Sequence, residues 1–200
     1  MATGDPSGED RVGDRSELAD AANVLVLTAG TDSDARTAYL EDVVPRRLAH
    51  LLVVAYTADP GGWLDDWEDQ GGLPEEVVLV GGDEREVERP SVDWTAQSPE
   101  SLTGIGITVS ERLTGWHDAT PGADTLFLFD SLTVLLQYVE LKRAFRFLHV
   151  LVNRVKATDT VAHYHLDPGA HDAKTVATLS SLFDTVVRYE DREWTVSEGR

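Results

Sequence analysis

Five short blocks of nearly unbroken apolar residues recur along the chain, separated for the most part by stretches whose apolar positions repeat every three or four residues. The blocks are Asn23–Thr28, His50–Tyr56, Glu76–Val80, Asp124–Asp130 and Thr160–His165. Runs this short and this apolar predict strands buried on both faces, as in a parallel sheet. Between them, a helix is predicted from Thr31 to about Asp42, ahead of the breaker Pro45. Pro60 opens a short acidic helix through Trp63 and Trp67, which Gly71-Gly72 ends. Ser98 is the predicted cap of a helix whose stripe is Leu102, Ile105, Val109, Leu113 and Trp116. A long helix is predicted from about Glu140 to Lys156, with Leu141, Ala144, Phe145, Leu148, Leu151, Val152 and Val155 inward, and a last one over His171–Phe183. Thr185–Tyr189 and Trp194–Val196, joined by Glu190–Glu193, read as a closing hairpin, while Asp83–Gln97 reads as acidic and irregular.

Alternating strands and helices with buried strands predict a three-layer αβα fold of class α/β, with a mostly parallel central sheet and a C-terminal hairpin. Residues 1–21 are rich in Gly, Asp and Ser without periodicity and read as a disordered acidic tail before one domain over 22–197. Two hundred residues suit that single domain.

Charge sharpens the picture. Acidic residues number 36 against 17 basic ones, for a net charge of -19. Only Lys142, Lys156 and Lys174 are lysines. An acidic chain of an ordinary cell would repel itself at moderate salt, whereas concentrated salt screens such repulsion within a few ångströms. The reading is therefore a halophile's cytoplasmic protein. The same charge argues against nucleic acid as partner, since a phosphate-tracking surface needs dense Lys and Arg. Lys142, Arg143 and Arg146 form the nearest cluster, read as the solvated face of a helix. There is no cysteine, hence no disulfide and no thiolate metal site, and no apolar run is long enough to span a membrane.

In parallel sheets ligands sit beyond the carboxyl ends of the strands. That rule directs attention to Thr28–Asp34, Thr57–Pro60, Asp130–Ser131 and His165–Asp172. Among these, Leu126-Phe-Leu-Phe-Asp130-Ser131-Leu-Thr resembles the Walker B segment of RecA/KaiC-type ATPases, where the strand-end carboxylate supports the nucleotide's Mg²⁺. The run from Asp124 to Trp194, with Phe145-Arg-Phe-Leu-His149 and Val161-Ala-His-Tyr-His165-Leu-Asp-Pro, resembles a group of short RecA/KaiC-like proteins of halophilic archaea. The resemblance implies a P-loop NTPase-type fold and covers roughly Asn23 to Val196.

It also implies a site that this chain lacks. An active member of that family would carry Gly-x-x-x-x-Gly-Lys-Ser/Thr after the first strand, its backbone N–H groups cradling phosphates and its lysine reaching the terminal oxygens. Here the turn reads Thr28-Ala-Gly30-Thr31-Asp32-Ser33-Asp34-Ala-Arg36-Thr37, with one glycine, no lysine and carboxylates where phosphate should lie. The paired glutamates that KaiC-like ATPases carry after the second strand are replaced by Ala58-Asp59, and Asp59 before Pro60 reads as a helix cap. Gly30, Thr31, Asp59, Asp130 and Ser131 are thus a vestigial nucleotide set, with Asp130 and Ser131 also readable as a helix cap and turn closure.

His163 and His165 alternate onto one face of a strand, with Asp167 and His171 in the following loop. His163, His165 and Asp167 could form a metal site; the competing reading is a polar network joining His165 to Asp130 or Ser131. Trp63, Trp67, Trp94 and Trp116 read as core or covering residues. The leading expectation is a non-catalytic module that acts in regulation or signalling through a protein partner or as a homo-oligomer, with no cofactor and no membrane. Its alternatives are a divergent Mg-nucleotide binder or weak ATPase using Asp130 and Asp59, and a metal-dependent enzyme at His163, His165 and Asp167.

Overall fold

The computed structural model describes residues 18, 21–29, 33–45, 47–56, 60–70, 72–81 and 92–199. Gly30, Thr31 and Asp59, most of the N-terminal tail and the greater part of the 83–97 segment lie outside the described residues.

Eight strands form one sheet: β1 (Asn23–Leu27), β2 (His50–Ala55), β3 (Glu76–Gly81), β4 (Val92–Ala96), β5 (Thr125–Asp130), β6 (Val161–Leu166), β7 (Thr185–Glu190) and β8 (Glu193–Glu198). Their order is β4-β3-β2-β5-β6-β1-β7-β8. All pairs are parallel except β7 with β8. The α/β class, the mostly parallel sheet and the C-terminal hairpin are as the sequence pattern predicts. The hairpin turns through Asp191 and Arg192 at φ 53° and 65°, the doubly left-handed turn whose twist matches that of its flanking strands.

The helices are α1 (Ser33–Ala38), α2 (Pro60–Gln70), α3 (Leu102–Ala119), α4 (Leu132–Tyr138), α5 (Leu141–Ala157) and α6 (Ala173–Ser180). A π-helical turn, Tyr39–Val43, continues α1. Successive strands β1 to β4 are laid down toward one edge, then β5 to β8 toward the other. Because parallel crossovers are right-handed, the reversal sends α1 and α2 to one face and α3 to α6 to the other. Two apolar layers result. Val24, Val26, Val53 and Leu128 meet Tyr39, Trp63, Leu64 and Trp67 on the first face. Leu25, Leu52, Phe127, Phe129 and Tyr164 meet Ile105, Val109, Leu148 and Phe183 on the second.

Three local expectations need correction, and a fourth gains its bounds. Within the segment read as irregular, Val92–Ala96 pairs in parallel with β3 as an edge strand. Its half-exposed residues, including Val92 and Trp94, gave no unbroken apolar run to detect. Gly81 ends β3 beneath it, where an added Cβ would stand 2.7 Å from Ala55 O and from the Trp94 ring. Helix α3 starts at Leu102, because Ser98 closes a preceding turn by accepting from the Ser101 N–H at 2.9 Å. The helical segment expected after Asp130 and Ser131 is Leu132–Tyr138, whose bounds the apolar run concealed, since periodicity is lost when most positions are apolar. Helix α6 is shorter than expected: Asp172 caps it, accepting from the Thr175 N–H at 2.6 Å. Among the described residues no helix is long and apolar enough to cross a membrane.

Candidate functional site

At the carboxyl ends of β1, β5 and β6 the alternation of side chains puts Thr28, Asp130 and His165 on the α1/α2 face. His163 lies on the same face two residues earlier, beside Leu128 of β5 and Val24 of β1. Helices α1 and α2 close over this row. The result is a narrow cleft of about 70 Å³ lined by Thr28, Ala29, Arg36, Tyr39, Leu40, Trp63, Trp67, Asp130 and His165.

Two of the polar groups at the cleft are held by aromatic side chains. The Trp63 Nε1–H donates to Asp130 Oδ2 at 3.2 Å. Tyr39 Oη and His163 Nδ1 share a hydrogen bond of 2.8 Å. The Tyr39 ring also meets His165 edge-on, with centroids 4.5 Å apart. Tyr39 is the first residue of the π-helical turn, a widening of the helix often found at functional sites. Trp63 and Trp67 pack against each other one helical turn apart on α2, at 5.4 Å. Arg36, at the mouth, pairs with Asp66 of α2 at 2.9 Å and so ties the two covering helices together.

Burial sets the electrostatics. Desolvation, with a smaller contribution from neighbouring His165, pushes the His163 imidazole down to about pH 3. His165 is also lowered, by burial first; Asp130 opposes the shift and Arg36 adds to it. Both rings are therefore neutral at physiological pH. Burial, and secondarily the Asp130 carboxylate, raises the Tyr39 phenol well above its ordinary value. His165 Nε2 is buried and has no hydrogen-bond partner among the described residues.

The predicted residues divide. Asp130 and His165 both line the cleft, but the polar network expected to join them is not formed: Trp63 takes the carboxylate and His165 Nε2 has no partner among the described residues. Ser131 turns away to cap α4, its Oγ accepting from the Val134 N–H at 3.3 Å; the Asp130–Ser131 peptide is cis. The cap is thus Ser131, not Asp130. Asp167 does not join the histidines: its Oδ1 accepts from the Gly169 N–H at 2.8 Å, capping a short 3₁₀ turn over Pro168–Ala170. Among the described residues no group of three His, Cys, Asp or Glu side chains could hold a metal ion, so the His163/His165/Asp167 metal centre is not assembled. His149 is exposed on α5.

Sequence reasoning missed Tyr39, Trp63 and Arg36 as parts of the site. Trp63 and Trp67 are buried, as expected of covering residues, but the surface they cover is the strand-end cleft itself. Their four-residue spacing on one helix was the signal available. Tyr39 offered none, because its aim depends on the π-helical turn.

A family profile described as a family of unknown function (DUF7504) matches residues 21–189. No curated protein matches the chain. Among solved structures, the chain is similar to a protein of Pyrococcus horikoshii OT3 from a structural study, at 12% identity and a TM-score of 0.58, covering 88% of this chain and 86% of that one. It is also similar to an uncharacterized Pyrococcus horikoshii protein solved with an unknown peptide, at 12% identity and a TM-score of 0.51, covering 88% and 81% respectively. At these identities the likeness concerns the fold.

Proposed function

The chain belongs to that family of unknown function, and from this premise we propose that it is a non-catalytic relative of RecA/KaiC-type ATPases that works through protein contacts in regulation or signalling. One observation carries the reading. The strand-end position where such an ATPase would support Mg²⁺ is roofed by aromatic side chains, with Asp130 held by the Trp63 indole in a cleft of about 70 Å³. Pockets for nucleotide-sized ligands begin at about 300 Å³. The imidazoles are neutral, the Asp130 carboxylate is taken by an indole, and Arg36 at the mouth is already paired with Asp66, a poor setting for a triphosphate. The lost glycines and lysine of the first turn support the same conclusion. No resident cofactor belongs to this reading.

The net charge of -19 and scarcity of lysine support a setting in concentrated salt, as in the cytoplasm of a halophilic archaeon. That one similar fold was solved with a peptide is compatible with a binding use of the scaffold. The test is calorimetry and thermal unfolding of the full chain with Mg-ATP in molar KCl. A ligand at 100 times its Kd stabilises the native state by about 2.7 kcal/mol. The expected result is an unchanged Tm at millimolar Mg-ATP and no phosphate release. A saturable rise in Tm, or turnover abolished by Asp130→Asn, would replace this reading with the nucleotide-binding one.

A further inference from the structure

On the face opposite the cleft, helices α3 and α5 lie side by side and leave an open groove of about 720 Å³ between them. Its centre is apolar. Ile107 is 53% exposed and Val150 69% exposed, with Phe147 beside them partly buried against the core. Its border is basic: Arg143, Arg146 and Arg154 line it, against a single lining carboxylate, Glu111.

The charge here departs from the rest of the molecule. The 17 residues of α5 include Lys142, Arg143, Arg146, Arg154 and Lys156 and not one Asp or Glu, in a chain with 36 acidic residues. Of these cations Lys156 pairs with Asp184. Arg143 and Arg146 donate only to main-chain oxygens, those of Glu100 and Lys142. None of Arg143, Arg146 and Arg154 is ion-paired with a carboxylate among the described residues. Arg143, Phe147, Val150 and Arg154 fall at i, i+4, i+7 and i+11, one straight stripe about 16 Å long. The stripe therefore reads cation, apolar, apolar, cation.

We propose that this groove is a docking site for an acidic amphipathic helix of a partner protein, some three turns long, with apolar anchors at its middle and carboxylates toward its ends. The proposal rests on the protein-contact reading above and supplies its partner class. Apolar anchors at i, i+3, i+4 and i+7 are how a helix enters such a groove. Guanidinium groups grip carboxylates through paired N–H donors in a fork that ammonium groups lack. In concentrated salt the screening length falls to about 3 Å, so these contact-range pairs and the apolar anchors persist while longer-range attraction is lost. Nucleic acid fits poorly, because the arginines bracket apolar side chains instead of tracking a backbone and the whole chain is strongly negative. An anionic membrane fits poorly too, since the apolar residues line a concave groove and not a projecting face.

Fluorescence anisotropy of the full chain in molar KCl tests the proposal. The probes are a labelled helical peptide with leucines at i, i+3, i+4 and i+7 flanked by glutamates, and the same peptide with lysines for glutamates. The expected result is saturable binding of the glutamate peptide and binding at least about tenfold weaker for the lysine peptide. Val150→Asp and the triple variant Arg143→Glu/Arg146→Glu/Arg154→Glu should each weaken the glutamate peptide by about tenfold or more, with Tm within a few degrees of the parent. Equal affinity for both peptides, or binding indifferent to these variants, overturns the proposal. So does preferential binding, through the same arginines, to single-stranded nucleic acid or anionic vesicles, or a self-association that Val150→Asp abolishes. If the peptides fail while the triple variant keeps a protein that the parent captures, the groove is wrong and the protein-contact reading stands.

Discussion

The two faces of the sheet treat similar side chains in opposite ways. On the α1/α2 face, Trp63, Trp67 and Tyr39 are turned inward over Asp130, His163 and His165, leaving about 70 Å³. On the other face, Phe147, Val150 and three arginines border an open groove of about 720 Å³. Strand-end polar groups that would serve chemistry are neutralised by burial or capped by an indole, while Arg143, Arg146 and Arg154 of α5 have no carboxylate partner among the described residues. A scaffold of this topology places its ligand site at the strand ends by default. Here that place is roofed by buried rings, and the accessible apolar and basic side chains lie elsewhere. That distribution suits the protein-contact role proposed above.

The largest expected difference between the faces is in stability. Trp63→Ala removes a buried indole and strips Asp130 of its donor, at a cost of about 3–5 kcal/mol. Val150→Asp, at a site 69% exposed, should change stability by no more than about 0.5 kcal/mol. Denaturant unfolding in molar KCl gives both values, and comparable losses would erase the distinction.

Acid should act first on the closed face; the Asp172 carboxyl, which caps α6 on the other face and is held below its ordinary value by the Thr175 N–H, takes up its proton only at lower pH. The folded-state pKa of His163 lies near 3, below its ordinary 6.5, and that of His165 is lowered as well. The unfolded chain therefore takes up these protons first as pH falls. Stability from the neutral rings is complete above pH 6.5 and declines below it, by about 1.4 kcal/mol per pH unit for each ring still unprotonated in the fold. Unfolding midpoints between pH 7 and 4 should show this slope, and His163→Asn should remove about one proton's share. The triple arginine variant should leave the slope as it is; a slope that follows the arginines would place the acid sensitivity on the wrong face.

Smaller effects refine the picture of the cleft. Tyr39→Phe leaves His163 without its hydroxyl partner and should cost about 1–3 kcal/mol, toward the lower end if the ring packing is kept. Ser131→Ala removes the cap of α4 for about 1 kcal/mol. Were Ser131 part of an ion site instead, its loss would alter divalent-cation stabilisation measured by Tm, and no such change is expected.

How far the site was legible follows from the range of the forces involved. Asp130 and His165 could be placed at one edge from strand ends and alternation alone, because both rules are local. Their partners could not, since Tyr39 reaches His163 across 124 positions and Trp63 reaches Asp130 across 67. Asp167 appeared to belong with the histidines by spacing, yet a neighbouring N–H two residues on was the nearer partner and captured it. Asn23 looked like the polar start of an apolar strand. In the fold it is fully buried, donating to Val152 O and accepting from the Tyr164 hydroxyl.

By itself the sequence determined the α/β class, five buried strands, the closing hairpin and the acidity, because burial on both strand faces and net charge are written in consecutive residues. Tertiary structure alone decided that β4 joins the edge, that aromatics roof the strand ends, and that the cations of α5 meet the exposed face of α3. Those outcomes depend on which helix crosses which face of the sheet, and that is set by strand order, which no local pattern encodes.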